Sequence, residues 1–426
     1  MAKILVGIGK LISSVSRLLN LGHGSTWPGH VALLLNPKFI RQVLKNSRLK
    51  VILIAGTNGK TTTGKLIKTI LEKAGYSVFQ NEAGANLLNG IASTLIQNST
   101  GLGKIEQDFA IFELDENSLP LLLNEITPDY LLLLNLFRDQ LDRYGEVDTI
   151  SRKWRKAIEQ LSNGTILILN ADDPQIAYLQ TDFKGKVLFF GLNDKSASTK
   201  SHQHAVDSVY CLNCGSKLTY KTIYFSHLGD WKCTNCSLAR PGLAEAFSFY
   251  PLSGVYNKYN TLAAVLLCRT IGIDSKTINS ALHEFSPAFG RQEILSVDGK
   301  NIQIFLSKNP TSFNESLRTV KKLKGKNILL VLNDRIPDGR DVSWIWDVDF
   351  ENYISKIKHI FISGDKAYDM ALRIKYAQIS FEVDGNLQKV MHKAIAQTYP
   401  TETLYILPTY SAMLEVRKIL TGKKIL

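Results

Sequence analysis

The stretch KVILIAGTNGKTTT, Lys50 to Thr63, decides how the chain is read. Lys50 to Ala55 is a nearly continuous apolar run, the pattern of a strand buried on both faces of a parallel sheet. A glycine loop follows. From Gly64 to Ala74 the residues Leu66, Ile67, Ile70 and Leu71 recur at helical spacing, until Gly75 stops the pattern. Strand, glycine loop and helix in that order make a phosphate cradle. Successive backbone N–H groups of Gly56, Thr57, Asn58 and Gly59 can surround a phosphate, and the helix N-terminus adds a favourable dipole. Lys60 then reaches the β- and γ-phosphates of ATP, Thr61 offers its hydroxyl to Mg, and Thr62 continues the loop. The strict P-loop pattern has glycine where this chain has Ile54, so the loop is a variant of it.

Around this unit lie 426 residues, enough for two or three domains. With 45% hydrophobic and 21% charged residues the chain is of ordinary globular type, and disorder as its main state is excluded. Its net charge of +13 is uneven. Residues 1–50 hold eight basic side chains (Lys3, Lys10, Arg17, Lys38, Arg41, Lys45, Arg48, Lys50) and no acidic one, which leaves +5 on the other 376. Lys10 and Arg17 interrupt any secretory apolar core, and no run of about 20 apolar residues exists for a transmembrane helix. An organelle transit peptide fits the composition alone. Two further readings stay open. In one, a solvated helix packs Ile4, Leu5, Ile8, Leu11 and Ile12 on the body of the protein. In the other, a cationic face attracts anionic lipid or an anionic substrate.

Five cysteines are present. Cys211 and Cys214 form CLNC, Cys233 and Cys236 form CTNC, and two such knuckles match a structural zinc site of four thiolates. The residues between them predict a short hairpin, Lys217 to Tyr224 and then Trp231 to Lys232. Disulfides or a redox pair are the competing readings, but neither knuckle opens a helix after a strand. Residues 206–240 carry four basic and two acidic side chains without a basic stripe, so no nucleic-acid partner is expected. Cys268 lies in the apolar run AAVLLC and is expected in the core.

The T-N-G-K-T-T loop resembles that of the Mur ligase superfamily, whose members phosphorylate a carboxylate with ATP and let an amine displace the phosphate. Other segments resemble that superfamily in the same order. In AIFELDE, Glu113 matches a Mg-binding glutamate; a carboxylate at a strand's C-terminal end is where a doubly wound sheet binds ligands. NEAGAN carries over Asn86 near the γ-phosphate. FRDQLDRYGE has Gln140 where the superfamily has a metal-ligating histidine. NADDP (Asn170 to Pro174) and GVYNKYN (Gly254 to Asn260) resemble nucleoside-contacting stretches, with Asn257 and Asn260 on the adenine side. FGRQE brings Arg291 as a phosphate-binding arginine. LSKNPTSFN brings Lys308 toward the acyl phosphate, with Asn309 and Asn314 in the same loop.

The ATP strand begins at residue 50, so the UDP-binding domain of ordinary Mur ligases is not expected, and those enzymes lack the four-cysteine ribbon. Both departures resemble one branch, the MurT family of lipid II isoglutaminyl synthase subunits. The resemblance implies amidation of the D-glutamate α-carboxyl of lipid II to D-isoglutamine. Ammonia would come from a separate GatD-type class I glutaminase in a heterodimer. Asp341, in the DGRD segment, would then complete the partner's Cys–His pair, with Asp338, Asp347 and Asp349 as competitors; Asp341 could also simply cap a helix start. The expected α/β fold has a basic helical segment at 1–49 and a Mur ligase-like central P-loop ATPase domain at 50–291. A zinc ribbon is inserted in the latter at about 206–240, and a Rossmann-like α/β domain follows at 292–426. The expected location is the bacterial cytoplasm, against the inner membrane face. The alternative function is an amino-acid-adding ligase of the folylpolyglutamate synthase type.

Overall fold

The computed structural model describes residues 2–18, 26–45, 47–81, 84–101, 103–139, 146–199, 202–204, 206–244, 246–287 and 290–422. Its first sheet is fully parallel, in the order β2-β3-β1-β4-β5-β6. The strands are β1 (Lys50–Ala55), β2 (Val78–Gln80), β3 (Phe109–Leu114), β4 (Tyr130–Leu133), β5 (Ile166–Asn170) and β6 (Lys186–Phe190). Every residue of β3 and β4 is buried, because helices cover both faces. The order reverses at β1, which pairs with β3 on one side and β4 on the other. The C-terminal ends of those three strands therefore open the crevice where such sheets bind ligands.

The second sheet runs β13-β12-β11-β14-β10-β9 and is parallel except for the β9–β10 pair. It consists of β9 (Arg291–Val297), β10 (Lys300–Phe305), β11 (Asn327–Val331), β12 (His359–Ser363), β13 (Glu382–Val383) and β14 (Thr403–Pro408), with its own buried clusters on either face. Three of these strands follow the expected apolar runs. The antiparallel β9 and β10 and the short β13 were not expected, since their half-buried alternation is weak.

Between the sheets in sequence stands the hairpin of β7 (Leu218–Phe225) and β8 (Leu228–Cys233). Its second strand is longer than the Trp231–Lys232 segment expected. The hairpin is built into the first domain rather than standing free. Trp231 is buried and donates its indole N–H to the Ala171 carbonyl at 3.0 Å, and Gly229 N donates to Asp172 O at 3.0 Å.

The N-terminal segment forms helices at Ala2–Leu18, Trp27–Leu35 and Phe39–Lys45. Here one expectation is corrected. The first helix does not pack Ile4, Ile8 and Leu11 inward; all three are exposed, and Leu5, Val6, Gly9 and Ser13 face the body. Among the described residues no helix is long and apolar enough to cross a membrane.

Candidate active site

The loop after β1 runs into the Lys60–Lys73 helix, whose start is the left-handed Gly59 (φ 94°). A side chain there would strike Asn260 Oδ1, 2.2 Å from the Cβ position, so glycine lets the loop close on the helix of Val255–Ile271. The loop is anchored from β4. Asn58 N donates to Asn135 Oδ1 at 2.9 Å, Asn135 Nδ2 returns a bond to Asn58 O at 3.0 Å, and Thr57 Oγ1 bridges the backbone of Phe137. The Lys60 ammonium folds back onto the carbonyls of Gly56 and Thr57.

Glu113, near the end of β3, is buried beside this loop. Thr61 Oγ1 donates to its Oε2 and Gln80 Nε2 to its Oε1, both at 2.5 Å. Burial pushes its carboxyl above the ordinary range, and the charges of Arg291 and Lys60 pull against that push. Arg291 is depressed in turn by burial, with Glu113 opposing. Two oxygen donors side by side, one ionisable, suit a hard divalent cation, so Thr61 and Glu113 fit a Mg-binding pair.

These groups open into one cavity of about 520 Å³ between the two domains. Its walls include Thr57, Asn58, Gly59, Lys60, Thr61 and Thr62 from the loop, with Asn86 and Glu113. Asn257, Asn260, Arg291 and Lys308 close the other side. Within the loop from Gly56 to Thr62, Gly56 alone stands back from the wall, meeting the cavity through its bond to Lys60. The NADDP carboxylates turn away. Asp172 is wholly buried among Tyr259, Arg240 and the Leu192 N–H, and burial raises it to about 6; Asp173 caps a short helix. Gln140 and Phe289, and part of NEAGAN, lie outside the described residues.

The second domain closes the cavity through the loop after β10. Lys308 forms an ion pair with Asp139, and the side-chain amides of Asn58 and Asn309 meet at 3.2 Å. Burial works against the Lys308 charge, but Asp139 and Glu116 outweigh it and hold the ammonium above the ordinary lysine value. The helix Pro310–Lys322, started by an Asn309–Ser312 capping box, presents Thr311, Ser312, Glu315 and Ser316 to the cavity. Glu315 and Phe225 are wall residues that sequence reasoning missed. Glu315 follows directly on LSKNPTSFN, and helical spacing from Thr311 could have found it. Phe225 comes from the far end of the cysteine hairpin, a contact only the tertiary fold creates.

Four sulfurs, of Cys211, Cys214, Cys233 and Cys236, lie within 4.8 Å of one another. The Cys211–Cys236 and Cys214–Cys233 pairs stand at 3.6 and 3.4 Å. Zinc–sulfur bonds of ~2.3 Å in a tetrahedron imply edges of roughly 3.8 Å, so the donor set fits zinc. Backbone N–H groups of Asn235 and Cys236 point at Cys233 Sγ, both at 3.3 Å. Cys268 is buried, and burial alone pushes its thiol far up, as suits a core residue.

The four candidate aspartates after β11 differ sharply. Asp338 is buried on Ser411, Asp349 is buried against His204 and Asn314, and Asp347 pairs with Arg138 at 3.2 Å. Asp341 is exposed and accepts local bonds from Ser343, the N–H at 2.8 Å. Its Ser343 hydrogen bonds hold the carboxyl below the ordinary range.

Comparison with known proteins agrees with this architecture. Residues 54–268 match the family described as Mur ligase middle domain, and residues 306–413 match MurT ligase C-terminal. The lipid II isoglutaminyl synthase (glutamine-hydrolyzing) subunit MurT of Staphylococcus aureus (strain COL) is 31% identical, covering 96% of this chain and 95% of its own. The subunit of the same name from Streptococcus pneumoniae is likewise 31% identical over 96% and 95%. The chain belongs to the MurT family. Solved structures share the fold of this MurT-family chain. A pseudomurein peptide ligase type C from Methanothermus fervidus superposes with TM-score 0.68 at 20% identity, covering 89% of this chain and 80% of that one. MurF from Acinetobacter baumannii superposes at 0.64 and 17%, covering 91% and 79%.

Proposed function

We propose that this chain is an ATP-dependent carbon–nitrogen ligase that amidates the D-glutamate α-carboxyl of lipid II, with ammonia from a GatD-type glutaminase partner. The observation that carries the reading is the interdomain cavity. It joins the GTNGKTT loop and Glu113 of one domain to Lys308 of the other, in a chain whose C-terminal part matches the MurT ligase family. In the proposed step a carboxylate oxygen attacks the γ-phosphorus of ATP and ADP leaves, giving an acyl phosphate. Ammonia then forms the C–N bond, the C–O bond to phosphate breaks, and the nitrogen sheds a proton. Lys60, Arg291 and Lys308 would stabilise charge on the transferring phosphoryl oxygens. Thr61 and Glu113 would hold Mg, which would neutralise part of the phosphate charge when bound with ATP. Asn257 and Asn260 would contact adenine and Asn86 the γ-phosphate.

The four cysteines would hold a structural zinc ion, with no fourth position left open for chemistry. Asp341 would complete the partner's Cys–His pair; its exposure supports that assignment over the buried Asp338 and Asp349 and over Asp347, which is paired with Arg138. The domain limits 1–49, 50–291 and 292–426 belong to the same proposal, as does a station at the inner face of a bacterial membrane. The MurT-type C-terminal match favours amidation over the amino-acid-adding alternative. The test mixes the chain with a GatD-type glutaminase, lipid II, ATP and glutamine. The expected result is one amide per lipid II, abolished by Lys60→Ala. Amidation by Lys60→Ala at the parental rate refutes the mechanism.

A further inference from the structure

We propose that the outward face of the first two helices is a docking surface for an anionic lipid bilayer. Two close contacts fix which face points inward. A Cβ at Gly9 would lie 2.8 Å from Ile96 Cδ1, and one at Gly29 would lie 1.9 Å from the Asn89 carbonyl. Both glycines therefore press their helix backbones onto the Leu88–Asn98 helix, and Gly29 N donates to Ser93 Oγ at 2.8 Å. The opposite faces are left to solvent, and they are apolar. Ile4 is 67% exposed and Leu11 66%, on one stripe with Ile8; Trp27 is 65% exposed and Leu34 75%, one helical face apart by two turns.

A stripe of large apolar residues left outward usually marks an interaction site. The charge selects the partner. Lys3 is exposed and Lys10 half-buried beside the Ile4–Ile8–Leu11 stripe, Lys38 and Lys45 are exposed on the segment, and residues 1–50 contain no carboxylate side chain. An apolar stripe flanked by lysines, with a tryptophan at the edge, is the composition of a helix lying in the headgroup region of an anionic membrane. The surface would seat the chain where a lipid-linked substrate is met; only that last link rests on the amidation reading, since vesicle binding needs no substrate.

The experiment is vesicle sedimentation of the full chain with phosphatidylglycerol-containing vesicles, and with pure phosphatidylcholine vesicles, both free of lipid II. Binding to the anionic vesicles alone is expected, weakening as salt rises. Lys3→Gln with Lys10→Gln should weaken it about 20- to 30-fold, at roughly fivefold per charge. Leu11→Gln with Leu34→Gln should weaken it too, without lowering the melting temperature, because both side chains are exposed. No binding by the parent, or binding untouched by either pair, overturns the proposal. So does binding lost only with the lysines, which makes the contact purely electrostatic. A fall in the oligomeric mass of the free protein on Leu11→Gln with Leu34→Gln also overturns it, by making this face a contact between copies. Amidation of detergent-dispersed lipid II, followed in parallel, reports separately on the ligase reading.

Discussion

Lys308→Met separates what this lysine does for the fold from what it does for the substrate. Its ion pair with Asp139 spans the two domains. The Asp139 side chain is 2% exposed, and the lysine's remaining 27% includes surface on the cavity wall. Among the described residues Asp139 Oδ1 has no partner, so removing the lysine leaves a buried carboxylate almost bare. Breaking one side of a buried pair costs about 3–5 kcal/mol, and the lysine's access to the cavity puts this pair near 3. For a domain-sized unfolding unit that is a fall of roughly 6–12 °C in melting temperature. Adding Asp139→Asn removes the stranded charge, so the double variant should melt close to the parent. Amidation behaves differently. Both variants lack the cation proposed to face the transferring phosphoryl group and should lose at least about a hundredfold in kcat. Calorimetry and amidation assays on the parent, both single variants and the double variant give the cycle. Full amidation by the double variant would refute the substrate role. An unchanged melting temperature for Lys308→Met would refute the buried pair.

Asp341→Asn should cut glutamine-dependent amidation by about 10²–10⁴ while ammonium salts still support it; equal loss with both donors would put Asp341 outside the glutaminase pair. Burial pushes the Glu315 carboxyl up to about 7, while Arg318 and Gln203 pull it down. The folded chain thus binds this proton more tightly than the unfolded chain, and stability falls as pH rises from about 4.5 to 7, by roughly 3 kcal/mol in all. Glu315→Gln should flatten that slope in melts from pH 5 to 8, and parallel slopes for parent and variant would count against it. Trp231→Ala empties a fully buried site and strands the Ala171 carbonyl, so a loss of about 3–5 kcal/mol in urea unfolding is expected; a loss below 1 kcal/mol would mean the hairpin is not integral. Cys233→Ser should abolish zinc retention measured by elemental analysis, and undiminished zinc would remove the four-thiolate site.

Local order explains what was legible in the chain. The phosphate loop and each cysteine knuckle are decided within a dozen residues, by strand burial, glycine conformation or ligand spacing, so the sequence carries them directly, whereas Glu113 was reached through its segment's resemblance to a known family. Asn257, Arg291 and Lys308 were reachable only because their segments resemble a known family; nothing in their own neighbourhoods places them on one cavity. The NADDP stretch shows the limit of that route: its carboxylates are consumed by Tyr259, Arg240 and a helix cap, interactions whose partners lie up to 87 residues away. Phe225, at the turn end of the cysteine hairpin, reaches the cavity wall by packing against Phe137 and Tyr259. The eight residues of one strand thus run from the four-cysteine cluster to the wall of the interdomain cavity. The first helix failed for a related reason. It carries two apolar stripes, and periodicity cannot choose between them; the small Gly9, which alone allows contact with Ile96, chooses. Burial thus follows the closest approach of backbones rather than the greater hydrophobicity, and the more hydrophobic stripe is the one left facing outward.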